Sequence, residues 1–600
     1  MQNSGRTQVG GLTRISAGTG RIGFGNSNNL FTGPVHLSGG AATIRSTGLL
    51  VLDGPAVRSL DATGSAGLDV ADMSVTGNAA LDAGSGALTV NNVDVGGNLT
   101  ASGGSITKTG SMAVDGAATL SSAGSILVSS ATLGSLDATA GDDLSISNGA
   151  VVGDAVLRVN DVLTMDALRV EGNMAASAGS IAQTGALFIA GTGDLRSGTR
   201  IVLDNTANEF AGPLSLQGQQ VLIAAAGNLQ LARVDATSLA AGATGMLSLG
   251  AASILGNTLL DGRGVNLGAA TIGGDLQVKS GAGITQTAAL RVGGSTDLMA
   301  VGAIALGNAG NDFRGGVSAL GDGIVLADAN DMELTALDNR NGDGAVTAVA
   351  GGTLTLPAAA VDVGSATLTL LSQGGSLSIS QALAGGDMVL GGRDGLALSA
   401  NVSSAGMLAL NSGAGITQSS GVLAAAALTG SALGDVKLRG ENRLSSLGDF
   451  KADGFDLTNA NSLLVDGNVT VNKGLLLHVG SGDLQLSGQL NADAVRLQTT
   501  GDIVQSSTGS IVAKTLSGRS GGATRLGTAA GFAANRVGLL GDFVANGGFS
   551  MTNEGTLALG SVNGSQRSVD VGDAAFFLKI EGGDLLQVGK AAVRAGEAHW

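Results

Sequence analysis

Cysteine and tyrosine are absent from this 600-residue chain, proline occurs four times, and the one tryptophan is Trp600. Without cysteine there are no disulfides, no thiolate metal sites and no thiol chemistry. That absence also suits a chain exported unfolded through an oxidising compartment. Aromatic residues make up 2% and apolar residues 44%, so the core must be narrow and filled by Val, Leu, Ile and Ala. Charged residues are scarce as well, at 13%, with a formal net charge of −16. Low charge beside high apolar content argues against intrinsic disorder. No run of Lys or Arg occurs, so neither a phosphate-tracking surface nor a nucleic-acid partner is expected. The opening MQNSGRTQVGGLTRIS lacks the apolar run of a secretion signal, and no stretch reaches the ~18 apolar residues of a membrane span. GVLAAAALTG (Gly421–Gly430) comes nearest.

What is abundant is glycine, with 102 residues, and repetition. SGAGITQ is written at Ser280–Gln286 and again at Ser412–Gln418. Its relatives GGSITKTG, AGSIAQTG and GDIVQSSTG place the same isoleucine at Ile106, Ile181 and Ile503, beside Ile284 and Ile416, without a fixed period. A second phrase is regular. VTGNAALDAG, VGGNLTASGG and VDGAATLSSAG begin at Val75, Val95 and Val114, and IGGDLQVKSG and VGGSTDLMAVG at Ile272 and Val292. A third pattern joins Asn and Phe: Asn26, Asn29 and Phe31, then Asn205, Asn208 and Phe210, then Asn308, Asn311 and Phe313. A fourth pair, NRLSSLGDF from Asn442 and NRVGLLGDF from Asn535, heads two longer similar stretches.

Between these landmarks apolar and polar residues alternate with period two, as in ALTVNNVDV and GMLALNS. Such runs, bounded by Gly, Asn, Asp or Ser, predict short strands joined by tight turns, and no amphipathic helix is evident. A unit of about 20 residues holding two or three strands is one coil of a β-solenoid. The fold class expected is therefore all-β, a right-handed parallel β-helix of about 20-residue coils running continuously through residues 1–600. In this reading the repeated Ile points inward, Gly and Asn make corners through positive φ, and the Gln of SGAGITQ stacks outward or against a neighbouring coil. A string of immunoglobulin-like sandwiches is the rival, but it predicts a packed core Trp and often a corner Tyr.

The phrases SGAGITQ, NTANEFAGPLSL, NAGNDFRGGVSALG and LADANDMELTAL resemble the repeat region of filamentous-haemagglutinin-type large exoproteins, the passengers of bacterial two-partner secretion systems. The resemblance spans about Arg21 to about Gly560. It implies export through an outer-membrane transporter and placement outside a Gram-negative bacterium, either released or displayed on the outer-membrane surface. It also implies a role in adhesion, aggregation or biofilm through a host or bacterial surface receptor. The chain shows neither the extended signal peptide nor the amino-terminal secretion domain of that pattern, so a repeat-region fragment is expected.

The chemical alternatives are thin. Asp142-Asp143 is a carboxylate pair without a second acidic cluster or a His-Gly step, since His36, His478 and His599 are followed by Leu, Val and Trp. Gly518-Arg519-Ser520-Gly521-Gly522 spells a nucleophile elbow, and Gly18 to Gly23 spells G-x-G-x-x-G, but neither is followed by a helix. Asn339-Arg340-Asn341-Gly342-Asp343-Gly344 mimics half a calcium loop, yet Ala350 stands where the bidentate Glu belongs. An Asn/Gly-rich loop jutting from one coil fits better. No catalytic, cofactor-binding or metal-binding residue is therefore assigned, and no cofactor is expected. The function expected is a rod-like structural segment of a secreted or surface-displayed adhesin that can associate end to end. The alternatives are a stalk for a contact-dependent toxin and a β-helical carbohydrate-active enzyme.

Overall fold

The computed structural model describes residues 5–527, 535–562, 564 and 567–600. Among them there is no helix. Strands of successive coils pair in parallel, giving a β-solenoid of about 29 turns of roughly 20 residues. The chain divides into two compact units, Met1–Gly294 and Ser295–Trp600, each a stack of such coils. Thus Leu99–Gly103 lies between Ala79–Asp82 of the preceding coil and Ala118–Ser122 of the following one. Period-two alternation does what it predicts: in Ala79–Asp82 the residues are buried and exposed in turn.

One face of the first unit's narrow core is packed as a checkerboard over seven coils. One inward column reads Leu60, Ala79, Leu99, Ala118, Leu136, Ala155 and Met174 on consecutive coils. Two residues further along each strand a parallel column reads Ala62, Leu81, Ala101, Leu120, Ala138, Leu157 and Ala176. All fourteen are at least 96% buried. Every coil therefore contributes one large and one small side chain, and each large one lies over a small one of its neighbours. That arrangement keeps volume per coil constant at close-packed density. Exchanging the two residues of one coil, Leu136→Ala with Ala138→Leu, preserves composition but sets the introduced leucine against Leu120 and Leu157 and opens a void where Leu136 stood. A loss of about 3 kcal/mol or more is expected from overpacking and cavity together. Denaturant unfolding at the wild-type midpoint would show that volume alone, not its placement, governs this core.

Another face of the first unit is uniformly large, with Leu68, Leu88, Ile106, Ile126, Leu144, Leu163 and Ile181 in one column, and the second unit has such a face too. Its column Leu377, Leu396, Ile416, Val436, Phe455, Leu475, Val495 and Leu516 is uniformly large and buried.

Corners are made in two ways, through the positive φ expected of Gly and Asn and through close stacking of glycines that have no positive φ. One corner of the first unit is a ladder of left-handed residues, Asp72, Asn92, Gly110, Ser130, Asn148 and Ala167, with φ between 47° and 68°. Most of the six are not glycine, and Asn92 Nδ2 donates to Asp72 Oδ1 across the rung. The VGG-type phrase does something else. Gly97, Gly116, Gly153, Gly172 and Gly191 have no left-handed φ. They stack so closely that a Cβ on Gly172 would lie 2.5 Å from the carbonyl carbon of Gly153. Their amides bond one another directly, Gly97 N to Gly77 O at 3.0 Å and Gly116 N to Gly97 O at 3.1 Å. The following Asn or Asp extends the contact: Asn78 Oδ1 accepts from Asn98 N, and Asn98 Oδ1 from Ala117 N, both at 3.0 Å.

Candidate functional site

The recurring phrases meet inside the solenoid. Ile416 is fully buried, and strand alternation puts Gln418 on the same inward face two residues later. Gln418 is 9% exposed, so of the two placements expected, outward or against a neighbouring coil, the second holds; Gln286 of the first copy is half-buried. Gln418 Nε2 donates to Gly421 O (3.0 Å) and to Asn442 Oδ1 (2.8 Å), while its Oε1 accepts from Gly440 N (3.0 Å) and Asn442 Nδ2 (3.0 Å). Asn442 is 0% exposed. Its Oδ1 also accepts from Leu423 N (2.9 Å), and its Nδ2 faces Leu438 O (3.2 Å) and Thr458 O (3.1 Å). The pair thus ties three successive coils, with every amide hydrogen and oxygen engaged, as burial demands.

The same constellation stands at two further places. Gln183 Nε2 reaches Gly185 O (2.7 Å) and Asn208 Oδ1 (2.8 Å), Asn208 Nδ2 returns to Gln183 Oε1 (2.9 Å), and Leu187 N donates to Asn208 Oδ1 (2.8 Å). Gln505 Nε2 reaches Gly509 O (2.7 Å) and Asn535 Oδ1 (2.8 Å), Asn535 Nδ2 returns to Gln505 Oε1 (2.9 Å), and Ile511 N donates to Asn535 Oδ1 (2.8 Å). The third and fourth sequence patterns are therefore one device. Their shared member is the buried asparagine: Asn29, Asn208, Asn311, Asn442 and Asn535 are all 0% exposed. The outer asparagines behave as expected for corners, with Asn26, Asn205 and Asn308 each accepting from the amide two residues on at 2.9 Å. Phe31, Phe210 and Phe313 are buried in the core.

Sequence reasoning passed over Lys108, which takes the place of the glutamine in GGSITKTG. It is 1% exposed and lies in the same inward column as Val128, Ile146, Met165 and Gln183. Its Nζ donates to Gly110 O (2.9 Å), Ser130 O (2.9 Å) and Ser129 O, three carbonyls for three ammonium hydrogens. Burial holds its pKa below the usual lysine range. Lys108→Met orphans those carbonyls and is expected to cost about 3 kcal/mol. Lys108→Gln, which restores the chemistry of Gln183, is expected to recover most of it. Equal melting of the two variants would show that the carbonyls do not need a donor.

The residues weighed for catalysis do not converge. Asp143 Oδ1 accepts from Val162 N at 3.0 Å as part of a turn ladder, and Asp142 is exposed beside it. His36 Nδ1 lies 3.1 Å from Asp53 Oδ1, and His599 pairs with Glu597 at 3.0 Å. His478 faces outward on the strand Gly474–Val479, away from any such pair. Ser520 is fully buried at the end of a strand, its Oγ bonded to Gly522 O (2.9 Å) and Thr524 Oγ1 (2.8 Å), so it stands at no elbow. Gly18 to Gly23 is a tight turn running into the strand Ile22–Phe24. In the Asn339–Gly344 loop the first asparagine is turned inward: Asn339 Oδ1 accepts from Gly323 N (2.9 Å) and Nδ2 donates to Gly344 O (2.9 Å). Asn341 Nδ2 binds Asp322 Oδ2 (3.1 Å). A calcium loop would need those oxygens facing one centre. Among the described residues no group of three or more His, Asp or Glu side chains could hold a metal ion.

Comparison with known proteins gives a consistent but coarse result. Residues 1–38, 84–132, 152–217 and 256–320 match a family described as repeats of unknown function (DUF5649). No curated protein and no solved structure matches the chain. The matched stretches carry the first Asn-Phe pattern, the VGG-type phrases from Val95, Val114, Ile272 and Val292, Lys108 and the Gln183–Asn208 pair, so the chain is a β-solenoid of repeats, part of which is similar to that family.

Proposed function

We propose that the chain is a structural segment of a bacterial secreted or surface-displayed adhesin, exported through an outer-membrane transporter and acting in adhesion, aggregation or biofilm. The observation that carries this reading is where the repeated side chains are spent. The repeated Ile lies in the core, the Gln and Asn are consumed by internal carbonyls and amides, and the glycines admit close coil contact. What repeats is used for stacking, and the repeat style resembles that of filamentous-haemagglutinin-type exoproteins. Bacteria displaying the chain, compared with bacteria lacking it, should adhere more to host cells or aggregate more. No change in either would sink the proposal, and cleavage of polyuronides by purified protein would replace it with the enzymatic alternative.

End-to-end association belongs to the same reading. In the last coil Leu585 continues the column of Leu557, yet it is 39% exposed where Leu557 is 0%. Val588 and Trp600 are exposed at 55% and 64% nearby. In the purified 600-residue chain this exposed apolar column, with its strand edges unpaired among the described residues, can be extended in register by a second copy. Sedimentation of the purified chain is expected to show concentration-dependent oligomers that Leu585→Lys reduces. A strictly monomeric chain at high concentration would remove this part of the proposal.

A further inference from the structure

We infer that the buried Gln–Asn pairs are register keys: they fix which residues of adjacent coils face each other where the apolar columns cannot. A slip of one residue turns every side chain to the opposite face and is resisted by burial alone. A slip of two residues keeps the facing. In the second unit such a slip would move Ile416 from Val436 to the next inward residue, Leu438, and Val436 from Phe455 to Leu457, which exchanges one large apolar neighbour for another. Nothing in those columns objects, unlike the checkerboard of the first unit. The key objects strongly. Gln418 bonds Gly440 N and Asn442, and Asn442 bonds Leu423 N and Thr458 O, so a two-residue shift strands several buried polar groups at once. Single buried polar residues set register in the same way in coiled coils, at some cost in stability.

The spacing of the keys supports this role. Gln and Asn are separated by 25 residues in one key, 24 in the second and 30 in the third, although the contact geometry is the same. Coil length varies at these places, and a fixed polar contact is what lets a longer coil resume the common register. This also accounts for the recurrence of the phrase without a fixed period: it is placed per group of coils, not per coil.

Because the chain has no cysteine, introduced pairs report register directly. Thr417 and Lys437 are exposed register partners. At the strand separation of ~4.8 Å their cysteines fall within disulfide reach. Thr417→Cys with Arg439→Cys reports a two-residue slip, since the diagonal of about 8 Å lies beyond that reach. In the full chain with the key intact, the first pair is expected to oxidise and the second to stay reduced. Adding Gln418→Leu with Asn442→Leu is expected to raise slipped-pair oxidation about tenfold, the order set by losing net hydrogen bonds. Ile416→Val, which loosens the same coil without touching the key, is expected to leave it unchanged. The milder Gln418→Met removes the four bonds of the glutamine, leaves Asn442 with its backbone partners, and gives the same readout if the double variant does not fold. Native-only cross-links without the key would overturn the inference. So would equal slippage in Ile416→Val, or failure of both key variants to fold, either of which assigns the pair to stability instead.

Discussion

Ile416→Asp should open the coils around it. Ile416 is 0% exposed and sits between Leu396 and Val436 on the neighbouring coils. A carboxylate there has no basic partner in the column, so it must be buried charged, buried protonated or freed by local unfolding. Burying a polar group unpaired costs several kcal/mol, about 2–7, and the lost aliphatic contacts add to it. Stability in stacked repeats is a sum of nearest-neighbour terms, so the damage should stay local. Hydrogen exchange is expected to accelerate across roughly the strands that hold 396, 416 and 436 while distant coils keep their protection. The order of effects is informative too. Thr417 is exposed, and Thr417→Ala should cost about 0.5 kcal/mol or less. Gln418→Ala falls between the two, because it leaves Gly421 O, Gly440 N and part of Asn442 unsatisfied, at about 1–3 kcal/mol. Equal exchange rates in Ile416→Asp and Thr417→Ala would mean the facing of this strand is assigned backwards.

The coil and its strands were legible because they rest on alternation, and alternation is written along the chain. Ile416 and Ile284 could be placed inward from pattern alone. The glutamine was legible only as two alternatives, because its polarity points outward while parity points inward: a residue two positions after an inward Ile shares its face, and Gln418 does. Lys108 obeys the same rule in GGSITKTG. The partner asparagines were visible as repeats but not as partners, since the pairing spans one coil and the separation changes from key to key. Glycine was ambiguous for a different reason. A left-handed corner and a close coil contact both select it, and only the backbone separates Gly110, with φ 68°, from Gly116, which is packed against Gly97.

Gly134→Val is expected to be severely damaging although it adds no charge. A Cβ at this position would lie 2.3 Å from Asp115 O and 2.5 Å from Gly116 O, both backbone atoms of the preceding coil. Flexible side chains could swing aside; these carbonyls cannot, because they belong to the coil-to-coil ladder itself. The next coil depends on the same place, with Gly153 N bonded to Gly134 O at 2.7 Å. Valine must therefore push two coils apart or twist the strand Ala131–Ala140 out of register with both neighbours. Either route sacrifices buried backbone hydrogen bonds and the large-on-small packing of Leu136 and Ala138, for a loss above about 3 kcal/mol. Gly242→Ala is the control. It lies in the strand Leu229–Ile254, has no left-handed φ, and its Cβ would meet nothing within 4 Å. Replacing that glycine removes unfolded-state freedom without a clash, so a gain of about 0.4–1 kcal/mol is expected. Denaturant melts and hydrogen exchange of both variants decide the matter. If Gly134→Val melts with the wild type, the coils are more loosely stacked than these contacts require, and the abundance of glycine must be explained by conformation rather than by space.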